Sequence, residues 1–170
     1  NPIYTPAKIH GADWESCTTI AAQNAWCENT LANYLSNQLD LVVVQLGDNV
    51  NTPEKLSVFA EGSKNLLKFI RTRCPSARVV WVGAWYQSQG RMDAMKAACS
   101  ATGCTFVDIW DLHTPENESA VGNTYTKDDG TVTEIISEGV ASHPGDSGMK
   151  AIANRILFKL GISDNESYYA

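Results

Sequence analysis

The sequence predicts an α/β fold: a parallel β-sheet with helices on both faces, in three α/β/α layers. Two observations carry this. Short, continuous apolar runs rich in β-branched residues recur along the chain, the first two closed by glycine. Amphipathic stretches of helical period lie between and after them. Continuous apolar runs suit parallel strands covered on both faces, and their alternation with helices implies right-handed crossovers.

In chain order, a helix is expected over residues 18–37, with Ile20, Leu31, Tyr34 and Leu35 towards the sheet. Leu41-Val42-Val43-Val44-Gln45-Leu46 is a strand ended by Gly47. Thr52-Pro53-Glu54-Lys55 starts a helix, with a Thr cap, Pro at the first helical position and an acid in the first turn. Leu56, Phe59, Ala60, Leu66, Leu67 and Ile70 form its inner face until Cys74-Pro75 stops it. Arg78-Val79-Val80-Trp81-Val82-Gly83 is the next strand, followed by a helix over 92–101 ending near Gly103. Thr105-Phe106-Val107-Asp108-Ile109 is a shorter third strand. A last helix spans 147–160, capped by Asp146, with Met149, Ile152, Ala153, Ile156, Leu157 and Leu160 inward. The long stretch 111–133 reads as irregular. With no repeat or linker, residues 1–170 read as a single domain.

The 170 residues carry 13 Lys+Arg against 19 Asp+Glu, a net charge of −6. That acidity, with basic residues scattered, argues against a nucleic-acid binder that tracks phosphates. No window approaches the roughly 20 apolar residues of a membrane span. The five cysteines have neither CxxC nor zinc-site spacing and set no compartment. Cys99 and Cys104 flank a turn, as a disulfide or as two thiols. Asn117-Glu118-Ser119 and Asn165-Glu166-Ser167 fit the glycosylation sequon.

Ligands of open α/β sheets bind beyond the carboxyl ends of the strands. Gly47-Asp48-Asn49, Gly83-Ala84-Trp85-Tyr86 and Trp110-Asp111-Leu112-His113 are expected there. Ser142-His143-Pro144-Gly145-Asp146 joins them by preceding the last helix, which would hold the imidazole at a rigid corner. Singly, each has a structural reading. Asn49 suits a turn, a histidine before a helix suits the surface, and Trp85 and Tyr86 can cover a sheet edge. His10 and His113 have no better case.

Jointly, these blocks resemble a family. Residues Asp40 to Asn49, ending Leu46-Gly47-Asp48-Asn49, are similar to the strand and Gly-x-Asn block of the SGNH hydrolases, the GDSL-type esterases and lipases. His143-Pro144-Gly145-Asp146-Ser147-Gly148-Met149 resembles the same family's last block, and the resemblance runs over residues 38–160. It implies a flavodoxin-like sheet and serine-type ester hydrolysis without metal or organic cofactor. His143 would be the base and Asn49 an oxyanion donor, with Gly47 in the motif. The substrate class it suggests is small O-acyl esters, carbohydrate O-acetyl groups among them, with Trp85, Tyr86 and Trp110 as a sugar-stacking rim.

Three departures stand out. The family's nucleophile lies in a Gly-Asp-Ser after the first strand; no such triplet stands there in this chain, which opens Asn1-Pro2-Ile3-Tyr4. The chain is therefore expected to be part of a larger polypeptide, or to associate with a segment supplying that strand and its serine. The aspartate usual three residues before the histidine is Val140 here. Glu138 or a backbone carbonyl would have to hold the ring instead. The family's second glycine donor is unclear: Gly11 has a fitting separation from Gly47, and Ser16, nearby, reads as a helix cap. Two competitors remain: a non-catalytic carbohydrate-binding or structural domain that kept the fold, and a flavodoxin-like nucleotide binder. The latter lacks a glycine-rich phosphate loop.

Overall fold

The structure is a computed structural model that describes residues 8–127 and 129–166. It is mixed α/β and divides into two compact units, Asn1–Phe106 and Val107–Ala170. A three-stranded parallel sheet runs in the order β1 (Leu41–Val44), β2 (Arg78–Val82), β3 (Thr105–Val107). β1 and β2 pair in register from Leu41 opposite Arg78 to Val44 opposite Trp81. Among the described residues no helix is long and apolar enough to cross a membrane.

The first unit begins with α1 (Ala12–Ser16) and α2 (Ile20–Asn29). Thr19, not Ser16, opens α2, its hydroxyl accepting from Ala22 N–H at 3.2 Å. Ser16 ends α1 and donates to the Asp13 carbonyl, so it is not the cap expected of it. The single helix expected over 18–37 stops at Asn29 and resumes as a 3₁₀ turn, Leu31–Tyr34. Asn29 and Thr30 are weak helix formers, and Asn33 Nδ2 takes the Asn29 carbonyl at 3.0 Å. Tyr34 is exposed rather than turned inward.

α3 (Pro53–Arg73) starts as the sequence predicts, with Thr52 accepting from Lys55 N–H, and buries Phe59, Leu66, Leu67 and Ile70. Leu56, expected inside, is exposed. α4 (Gln89–Thr102) ends before Gly103 and buries Met92, Met95 and Ala98. The core is an aromatic triad in edge-to-face contact: Trp14, Phe59 and Trp81, with ring centroids 6.0 to 6.4 Å apart. Such pairs add roughly 0.5–1.5 kcal/mol each beyond area burial. Trp81 Nε1 donates to the Leu46 carbonyl at 3.0 Å, anchoring the chain leaving β1.

In the second unit the stretch expected to be irregular contains a 3₁₀ turn, Trp110–Leu112, and a hairpin. Its strands are β4 (Thr124–Thr126) and β5 (Val132–Glu134), paired antiparallel. Then come α5 (Glu138–Ala141) and α6 (Asp146–Lys159). Asp146 is the first residue of α6 rather than its cap; Gly145 holds that position and no side chain caps the helix. Ile152 and Leu160 are buried as expected, but Met149 is exposed. The inward position at that end belongs to Gly148, where a Cβ would stand 2.2 Å from the Asn117 carbonyl oxygen.

Candidate functional site

In the first unit the turn after β1, Gly47 to Val50, carries the candidate donor. Gly47 has φ +131°, a conformation that favours glycine, and a Cβ there would also stand 2.2 Å from Met95 Cε. Val50 N–H closes the turn on the Gly47 carbonyl at 3.1 Å.

Among the described residues four charged side chains hold this turn; Lys55 Nζ donates to the Asn49 carbonyl at 2.9 Å, and three others act from within the fold. Glu15 of α1, 4% exposed, brings its carboxylate to the N–H side. Its Oε1 accepts from the Gly47 N–H and, at 3.4 Å, from the Asn49 N–H. Its Oε2 accepts from Asn49 Nδ2 at 2.8 Å. Arg91 of α4, also buried, takes the carbonyl side. Its Nη1 donates to the carbonyls of Gly47 and Asp48 at 3.0 Å and Val50 at 3.4 Å, and its Nη2 to that of Tyr86 at 2.7 Å.

The third is Asp48, whose carboxylate accepts from the backbone N–H groups of Trp85 (3.1 Å) and Tyr86 (2.9 Å), tying the turn to the chain leaving β2. Burial pushes the Asp48 carboxyl above the usual range, although these bonds and Arg91 pull it down; the Glu15 charge adds to the rise. Asn49 itself is exposed. Trp85 is 2% exposed and Tyr86 half-buried, so of the two Tyr86 is the more accessible to a ligand. Gly11 packs against Leu46, where a Cβ would stand 2.4 Å from Leu46 Cδ2.

In the second unit His143 occupies the corner between α5 and α6. Its Nδ1 faces the Gly139 carbonyl at 3.0 Å. A carbonyl only accepts, so Nδ1 is the donor in this contact. Of the two holders considered for the ring, this is the backbone carbonyl.

The corner is clamped from 117–119. Ser119 N–H donates to the His143 carbonyl and Gly145 N–H to the Asn117 carbonyl, both at 2.9 Å, and Glu118 forms a β-bridge with Pro144. Asn117 Nδ2 donates to the Leu112 carbonyl at 2.9 Å. The second sequon ends at Ser167, outside the described residues.

His113 pairs with Glu118 at 2.7 Å, a histidine–carboxylate contact that sequence separation did not single out. The chain's own Gly-Asp-Ser, residues 145–147, opens α6, and Ser147 is exposed there. His10 is exposed in the first unit.

All five cysteines, Cys99 and Cys104 included, are free thiols. Among the described residues no three His, Cys, Asp or Glu side chains are grouped to hold a metal ion.

Glu15 and Arg91 are the residues that sequence reasoning missed. Each acts on the turn across more than 30 positions of chain, and neither belongs to a local motif. No protein-family model matches the chain, and no curated protein matches it.

Proposed function

We propose that the chain is the greater part of a serine-type ester hydrolase acting on small O-acyl esters, carbohydrate O-acetyl groups among them. The observation that carries this reading is the Asn49 amide, presented on a rigid turn beyond a parallel strand with its NH₂ oriented by Glu15. Such a donor stabilises the oxyanion of a tetrahedral intermediate. His143 is the base: with Nδ1 spent on Gly139, Nε2 takes the serine hydroxyl proton as the oxygen attacks the acyl carbon. The same proton passes to the leaving alcohol as the intermediate collapses, and water then releases the acid by the same route. A carbonyl in place of a carboxylate orients the ring but adds less charge support to the imidazolium.

The serine is assigned to a separate segment that adds along β1. In support, among the described residues β1 ends the strand order and Val43 is 44% exposed, and an extended segment pairs along a sheet at such an edge.

The competing reading, a carbohydrate-binding or structural domain, is favoured by Val140 where an orienting acid is usual. Hydrolysis of p-nitrophenyl acetate by the chain, together with its serine-bearing segment, separates them. Asn49→Ala should lower kcat by about 10²–10³, the typical loss of one oxyanion donor, and His143→Ala should lower it at least as far. Equal rates in both variants and the parent would remove the catalytic reading.

A further inference from the structure

We infer that Glu15 is a positioning residue: it sets which end of the Asn49 amide faces the reacting ester. The inference rests on the ester-hydrolase reading of this turn and adds a residue to it.

The two ends of an asparagine amide are nearly alike in shape, so only its hydrogen-bond partners decide which way it points. A carboxylate accepts and cannot donate. Glu15 Oε2 at 2.8 Å therefore holds Nδ2, and Oδ1 is turned the other way. One amide hydrogen goes to Glu15; the second leaves Nδ2 at roughly 120° to it and is the one offered to an oxyanion.

Glu15 cannot swing to another role, because its Oε1 is fixed by the Gly47 N–H and the side chain is buried. Its charge lies against the N–H side of a turn whose carbonyls are bound by the Arg91 guanidinium, which offsets the negative charge beside the donor.

Glu15→Gln has a definite consequence. A backbone N–H cannot reverse, so the carbonyl oxygen of the substituted side chain stays on the Gly47 N–H and its NH₂ confronts the Asn49 NH₂. The Asn49 amide must then invert, placing Oδ1 where Nδ2 was. A lone pair replaces the donor.

The test combines NMR with kinetics on the full chain. In wild type one Asn49 side-chain proton should resonate downfield and exchange slowly, and Glu15→Gln should abolish this. Two Asn49 amide protons exchanging as fast as those of other exposed asparagines would overturn the inference. In p-nitrophenyl acetate hydrolysis by the chain with its serine-bearing segment, Glu15→Gln should lower kcat about 10²–10³-fold, the typical worth of one such donor, with KM within about twofold.

On the Asn49→Ala background the same change should alter kcat less than about twofold, since the amide it orients is gone. An equal further loss there would mean that Glu15 is merely structural and would refute positioning. Glu15→Gln/Asn49→Asp restores a donor–acceptor pair with reversed polarity, so it should recover the melting temperature but not kcat; recovered turnover would also overturn the inference. If the protected proton is present but Asn49→Ala and His143→Ala hydrolyse at the parental rate, the esterase reading fails while the Glu15–Asn49 bond stands.

Discussion

Gly47→Ala attacks the turn at its most constrained point. Alanine at φ +131° sits in a region that L residues rarely adopt, which costs about 1–3 kcal/mol. Its methyl would stand 2.2 Å from Met95 Cε, and Met95 is fully buried, so the core must shift at a further cost of about 1–3 kcal/mol. The expected loss is therefore about 2–6 kcal/mol, a large fraction of the roughly 5–15 kcal/mol that stabilises an ordinary domain. Urea unfolding followed by tryptophan fluorescence measures it, with the slope unchanged if only stability moves. Met95→Ala, which by itself costs about 2–5 kcal/mol, removes the obstructing atom. The double variant should thus be more stable than the sum of the singles by about 1–3 kcal/mol, the residual loss being the backbone term. A single-variant loss under about 1 kcal/mol, or strict additivity in the double, would refute this account of Gly47.

Gly148→Ala should lower the melting temperature by about 4–8 °C, from an overpacking cost of about 2 kcal/mol, because its Cβ meets the Asn117 carbonyl. An unchanged thermal melt would show that 117–119 gives way freely. Burial pushes the thiols of Cys27 and Cys99 up to about 11 and about 12, so native protein at pH 8 should resist iodoacetamide at both, while urea exposes all five. Mass spectrometry of native and unfolded samples reads this, and rapid native labelling of Cys99 would contradict it. The hydrogen bond from Arg155 holds the Asp111 carboxyl below the usual range. Its contribution is thus present above the unfolded value near about 4 and lost as pH falls through the lower folded value. The stability gap between wild type and Arg155→Leu should narrow from pH 7 to pH 3 in thermal melts; a constant gap would show that the ion pair contributes nothing.

Elements whose information is local were readable from the residues. The apolar runs 41–46 and 78–83 became β1 and β2, and Thr52-Pro53 opened α3 where capping chemistry places it. The hairpin was hidden because β4 and β5 are three residues each and almost entirely exposed, leaving no apolar alternation to read. The phase of α6 was misjudged at Met149 because hydrophobicity points that residue inward. A backbone passing within reach of Gly148 selects the smaller neighbour instead. In the candidate site Gly47, Asn49 and His143 stood in recognisable local blocks. Glu15 and Arg91 did not: a buried acid in a five-residue helix and a buried base in a mixed helix acquire meaning only once the chain returns to the same turn.

That turn is an unusual place to commit charge. Glu15 and Arg91 are buried, Asp48 is partly so, and breaking one partner of a buried charge network typically costs about 3–5 kcal/mol. Apolar residues in their place would leave the backbone N–H and C=O groups of this turn without partners, which is costly where they are buried. Nor could they fix the direction of hydrogen bonds. Here each charge sets one polarity: Glu15 takes the N–H groups, Arg91 the carbonyls, and Asp48 the N–H groups of Trp85 and Tyr86. The net effect is an Asn49 amide with one orientation on a backbone that has one conformation. The arrangement satisfies the turn's backbone and, by the same bonds, gives the Asn49 amide the single orientation that the proposed donor role uses.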